Sequence, residues 1–152
     1  MNELKRLVYN FRRAIDAARD AGEFDNDFSF YAFPRGCCGD ACDLLAQFLM
    51  ERGIRTFYVC GHYYDGSFEG TQSHAWLLTD NNEIIDITGD QFNNSYIFLN
   101  YNKEVHVGKK DSFHKLFSVS KRDVHENFGL NALGGFSQPR LNDLYKIIVS
   151  YV

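Results

Sequence analysis

The apolar periodicity of this chain changes character at Gly53. Before that residue, apolar side chains recur at helical spacing. After it they fall into short runs rich in β-branched and aromatic residues, separated by Asn, Asp and Gly. Leu4, Leu7, Val8, Phe11, Ile15 and Ala18 share one face of a helix predicted over residues 3–21, and Gly22 stops it. Ala41, Leu44, Leu45, Phe48 and Leu49 do the same for a second helix over residues 38–52, where Gly53 suits the left-handed closing residue. Residues 23–35 are acidic and aromatic without a period and read as a loop. Strands are predicted at residues 54–60, 74–79, 83–88, 96–101, 104–107 and 145–152, with hairpin turns at Asp80-Asn81-Asn82 and Asn102-Lys103. Helices first and strands afterwards imply an α+β fold, an antiparallel sheet packed on the second helix.

A chain of 152 residues is near the modal domain size. We therefore expect a single domain over 1–152: an N-terminal helix in 1–22, the chemistry in 33–92, and further sheet strands in 93–152. Hydrophobic content of 45%, with 14 Phe and 9 Tyr, excludes a disordered chain. The formal charge is −4, and basic residues cluster no further than the pairs Arg12-Arg13, Lys109-Lys110 and Lys121-Arg122, so nucleic acid is not an expected partner. No run approaches a membrane span, and Met1-Asn2-Glu3-Leu4-Lys5-Arg6 lacks the apolar core of an export signal. The expectation is a protein without a membrane partner, cytoplasmic or delivered as an effector without a standard signal peptide. Oligomeric state is open.

Four cysteines, Cys37, Cys38, Cys42 and Cys60, are too clustered for a disulfide framework and read as reduced thiols. Zinc held by Cys38, Cys42, Cys60 and His62 is one alternative, opposed by the helical setting of Cys42 and the strand setting of Cys60. The stronger reading starts from Gly36-Cys37-Cys38-Gly39 at the beginning of a helix. Unpaired N–H groups and the positive end of the helix dipole there lower a thiol pKa and favour the thiolate nucleophile. Composition does not choose between the two cysteines, but the glycine-flanked helix start favours Cys38, with Cys37 as a packing residue. The Cys38 amide is also a candidate oxyanion donor.

A thiolate needs a base, and the base needs an orienting acceptor. His74 stands in an apolar strand and Asp86 in the next one. A three-residue loop at 80–82 would put Asp86 opposite Trp76, on the face of His74, whereas a two-residue loop would put it on the other face. An aspartate among Ile84, Ile85 and Ile87 requires a partner, and the imidazole of His74 supplies one. Asp86 could otherwise serve as an acceptor for the Thr88-Gly89 bend. No cofactor and no metal are required.

These residues resemble the transglutaminase-like superfamily of papain-like fold. The run Arg35-Gly36-Cys37-Cys38-Gly39-Asp40-Ala41-Cys42-Asp43-Leu44-Leu45, with Gly53-Ile54 and Val59-Cys60-Gly61, is similar to its nucleophile helix and following strand. His74-Ala75-Trp76 matches the family's histidine motif, and Asp86-Ile87-Thr88 matches Asp-Pro-Thr with Ile87 in place of proline. The resemblance covers residues 33–92 and implies Cys38 as nucleophile, His74 as base and Asp86 as orienter. It implies a thioester-forming enzyme acting on a peptide or glutamine amide as thiol protease, amidase, deamidase or transferase, including a bacterial effector or toxin. Three features depart from the family pattern: Cys37 precedes the nucleophile, Gly39 replaces an aromatic residue, and no Gln lies upstream as second oxyanion donor. Gly36, Cys37, Tyr31, Gln72 and Trp76 are weaker candidates for substrate or oxyanion contacts. A non-catalytic interaction module on the same fold is the remaining alternative, although a scaffold has no physical need for all three of Cys38, His74 and Asp86.

Overall fold

The Asn2 side chain accepts the Lys5 N–H at 2.8 Å and so caps α1 (Glu3–Asp20), which buries Leu7, Val8, Phe11, Ala14, Ile15 and Ala18. The structure, a computed structural model, describes residues 2–64, 66, 70–93 and 101–152. The second helix, α2 (Cys38–Met50), buries Ala41, Cys42, Leu44, Leu45, Ala46, Phe48 and Leu49. Five strands follow: β1 (Thr56–Tyr64), β2 (Thr71–Thr79), β3 (Ile84–Asp86), β4 (His106–Gly108) and β5 (Val124–Glu126). They form one antiparallel sheet in the order β4-β3-β2-β1-β5. The α+β class and the antiparallel sheet packed on α2 agree with the expectation from sequence. Among the described residues no helix is long and apolar enough to cross a membrane.

The C-terminal segment differs from the sequence reading. Of residues 145–152, read as a strand from the β-branched run Ile147-Ile148-Val149, residues 145–149 belong instead to the helix α3 (Ser137–Val149), and 150–152 follow its end. Leu141, Leu144 and Ile148 are its buried positions, a helical spacing that starts upstream of that run, and Pro139 sits in the first turn, where a missing N–H costs nothing. Residues 93–152 therefore supply α3 as well as the strands β4 and β5. Of the strand predicted at 96–101, residues 96–100 lie outside the described residues.

Two apolar layers cover the sheet. The larger one joins the buried faces of α1, α2 and α3 to Ala75, Leu77 and Ile85. The smaller is aromatic: Trp76, Phe92, Phe113 and Phe117 with Val59 and Ile84. Alternation along β2 sends Ala75 and Leu77 to the first and Trp76 to the second. Gly61 pairs with His74 across β1 and β2, and a Cβ there would lie 2.7 Å from both Trp76 and Phe117. Glycine is what lets the aromatic layer close under the histidine.

Candidate active site

The β2–β3 register pairs Leu77 with Ile85 and Leu78 with Ile84, so the loop at 80–82 has three residues. Continued by one residue, it sets Asp86 across from Trp76 and diagonal to His74. The contact follows: His74 Nε2 lies 2.7 Å from Asp86 Oδ2, with both side chains buried. Asp86 also fills its alternative sequence role, through its other oxygen. Oδ1 accepts the Thr88 N–H at 2.9 Å and so holds the bend after β3.

Burial alone would raise the Asp86 carboxyl, but the imidazoles of His74 and His114 outweigh it and hold the group far below its ordinary value. Asp86 is thus ionised and accepts only, so His74 Nε2 carries the proton of that bond. Nδ1 is left facing Cys38. Burial also opposes the charged form of His74, yet the Asp86 charge and hydrogen bond, with help from Cys38, raise its pKa to about 9. For Cys38, burial pushes the thiol up, but the His74 hydrogen bond and charge and the Ala75 N–H lower it below its ordinary value. Matched shifts of this kind favour a thiolate–imidazolium pair.

The other thiols differ. Cys37 is the residue before α2 and is buried, its Sγ donating toward the carbonyls of Arg35 at 3.3 Å and Ser29 at 3.4 Å. Burial raises the pKa of Cys37 and Cys60, and raises that of Cys42 far more. Cys38, Cys42, Cys60 and His62 do not converge as a metal-ligand group among the described residues. The groups that do converge are His74, Asp86 and His114, and His106, Asp111 and His114.

Among the weaker candidates, Gly36 has a φ of +71° and donates its N–H to Gln91 Oε1 at 3.3 Å. Tyr31 is exposed and Gln72 half-buried, and among the described residues neither hydrogen-bonds to Cys38, His74 or Asp86. Trp76 is buried at 2% exposure against His114 and Phe117, which makes it a wall of the aromatic layer rather than a substrate contact. The Tyr58 hydroxyl lies 3.2 Å from the position a Cβ on Gly39 would take, so a side chain after Cys38 would crowd it. A cavity of about 270 Å³ beside α2, lined by Asp43, His125, Asn127 and Phe128 among others, contains none of the three residues. Burial holds the Asp43 carboxyl there at about 6.

Sequence reasoning missed two groups. His114 is fully buried, with Nε2 2.7 Å from Asp86 Oδ2 and Nδ1 2.6 Å from Asp111 Oδ1. The line Cys38–His74–Asp86 therefore extends to His114 and Asp111. Its local signal was Asp111-Ser112-Phe113-His114, where Asp111 Oδ1 accepts the His114 N–H at 2.8 Å like a helix cap. Nothing in that motif announces Asp86. The second group is Arg12, whose buried guanidinium donates to the Ile87 and Glu104 carbonyls at 2.7 and 3.0 Å and to both oxygens of Asp90 at 2.9 and 2.8 Å. It ties α1 to the segment between Asp86 and Gln91.

No family model, curated protein or solved structure matches this chain.

Proposed function

We propose that the chain is a cysteine-dependent acyl-transfer enzyme of transglutaminase-like, papain-like architecture, acting on a peptide or glutamine side-chain amide. One observation carries the reading. A thiol lowered at the start of α2 faces a buried imidazole whose far nitrogen is held 2.7 Å from an ionised carboxylate. Cys38 Sγ attacks the amide carbon, and the carbonyl electron pair moves to oxygen. His74 Nδ1–H protonates the departing nitrogen as the C–N bond breaks, which leaves a thioester on Cys38 and a neutral His74. Water then gives its proton to Nδ1 and its oxygen to the acyl carbon, releasing the acid and restoring the ion pair. An amine in place of water gives a new amide. Asp86 stabilises the imidazolium in both halves and keeps Nδ1 aimed at sulfur.

Acylation by p-nitrophenyl acetate with peptide mapping tests this directly. The acetyl group is expected on the peptide containing Cys38, abolished in Cys38→Ala and retained in Cys37→Ala. Equal labelling of all four cysteines, or loss in Cys37→Ala alone, would sink the proposal. Casein incubated with the protein, followed for cleavage, ammonia release and incorporation of a fluorescent amine, then separates protease, deamidase and transferase.

A further inference from the structure

We infer that the Gln91 side-chain amide is the second oxyanion donor, acting with the backbone N–H of Cys38, and is a catalytic residue of the proposed acyl transfer. The inference rests on Cys38 being the nucleophile. Gln91 lies in the short 3-10 turn Gly89–Phe92 that follows β3. Its Oε1 accepts the Gly36 N–H at 3.3 Å, two residues before the nucleophile. That bond fixes which end of the amide is which, and Nε2 faces His74 Nδ1 at 3.3 Å.

Asp86 occupies Nε2, so the His74 hydrogen bond to the Cys38 thiol falls to Nδ1, and the Gln91 NH₂ stands beside the same atoms. In the thiolate–imidazolium state Nδ1 already carries a proton and cannot accept another. The NH₂ group then has no acceptor at Nδ1, and its N–H bonds are free for the oxygen that becomes negative when sulfur attacks a carbonyl. The other donor is available too, because among the described residues no side chain caps α2 and the N–H groups of its first turn have no intrahelical partner. Two N–H donors beside one sulfur form the arrangement that stabilises a tetrahedral oxyanion. The Arg12–Asp90 pair holds the adjacent residue in place. No Gln precedes Cys38 in the sequence.

The experiment compares two reactions of the same sulfur. Acetylation by p-nitrophenyl acetate passes through an oxyanion, whereas alkylation by iodoacetamide does not. In Gln91→Ala, acetylation of Cys38 should slow by about 10²–10³-fold, the usual effect of losing one oxyanion donor, while alkylation changes by less than about twofold. Gln91→Met, with similar bulk and no donor, should behave the same way and covers the case in which the alanine variant does not fold. If both reactions slow together, Gln91 only positions His74 and the inference fails. If neither slows, it fails outright. If the unmodified protein reacts at Cys38 with neither reagent, the nucleophile reading itself falls, an outcome distinct from the other two.

Discussion

Asp86 Oδ2 accepts from two imidazoles at 2.7 Å each, while Oδ1 accepts from Thr88 N–H at 2.9 Å. That arrangement revises what an amide at this position would do. From sequence, with His74 as the one partner, Asp86→Asn keeps a hydrogen bond and loses only charge. In the structure every contact of the carboxylate is to a donor. An asparagine NH₂ must therefore oppose either the two histidines or the Thr88 N–H, leaving a buried donor without an acceptor. Asp86→Asn is expected to cost about 1–3 kcal/mol of stability, read as a lower denaturation midpoint. It also removes the anion that raises His74 and, through it, lowers Cys38. The pH profile of Cys38 alkylation should then shift upward toward an ordinary thiol, and the alkaline limb of the proposed acyl transfer, set by His74, should move to lower pH. An alkylation profile identical to that of the unmodified protein would remove Asp86 from the site. His114→Gln tests the second donor: the buried ring loses both carboxylate contacts, so stability should fall while alkylation of Cys38 persists.

Among the elements, α1 does more than cover the core, because Arg12 reaches from it to acceptors 75, 78 and 92 residues away in sequence. Truncation to Ala leaves the half-buried Asp90 carboxylate and two carbonyls without their donor. Arg12→Ala should cost about 3–5 kcal/mol, and Arg12→Lys should recover little, since one ammonium cannot span acceptors that a planar guanidinium bridges. Equal denaturation midpoints for Arg12→Lys and the unmodified protein would contradict this. Arg12 also shows where reading the sequence stops. Helical periodicity located α1 and α2, and the Asp80-Asn81-Asn82 loop located the β2–β3 hairpin, because each depends on residues a few positions apart. That Cys38, His74 and Asp86 would come together was legible for the same reason, from a helix start and a strand register. Arg12 looked like half of a basic pair, and His114 drew no reading at all, since their partners come from distant segments. For α3 the β-branched run at 147–149 outweighed the helical spacing of Leu141, Leu144 and Ile148. Packing on α1, with Phe11 and Tyr145 ring centroids 6.4 Å apart, favours the helix.

At the scale of the whole molecule, the buried charges set a stability profile with two flanks. Asp86, Asp111 and Asp27 all have pKa values below the unfolded carboxyl value, Asp111 and Asp27 at about 2. For Asp111 the opposing burial is outweighed by His114 and Tyr101, and for Asp27 by the bidentate Arg140 and the Phe30 and Ser29 N–H groups. Their contribution is complete above about pH 4 and is lost as pH falls toward 2. His74 has the opposite sign. Its folded pKa of about 9 lies above the unfolded 6.5, so its contribution is complete below 6.5 and declines as pH rises to 9. In the unmodified protein the lowered Cys38 thiol acts against that alkaline decline, because a thiolate favoured in the folded state adds stability as pH rises. Cys38→Ala removes the offset and exposes the histidine. Its thermal midpoint should drop as pH rises from 6.5 toward 9, by less than the roughly 3 kcal/mol of the full His74 shift, because Cys38 itself supplies part of that shift. Adding Asp86→Asn to Cys38→Ala should flatten that alkaline flank, since the Asp86 carboxylate is the main group raising His74. Scanning calorimetry from about pH 2 to 10 on the two variants decides the matter. A midpoint in Cys38→Ala that stays level or climbs between pH 6.5 and 9 would mean that His74 is not held protonated by Asp86.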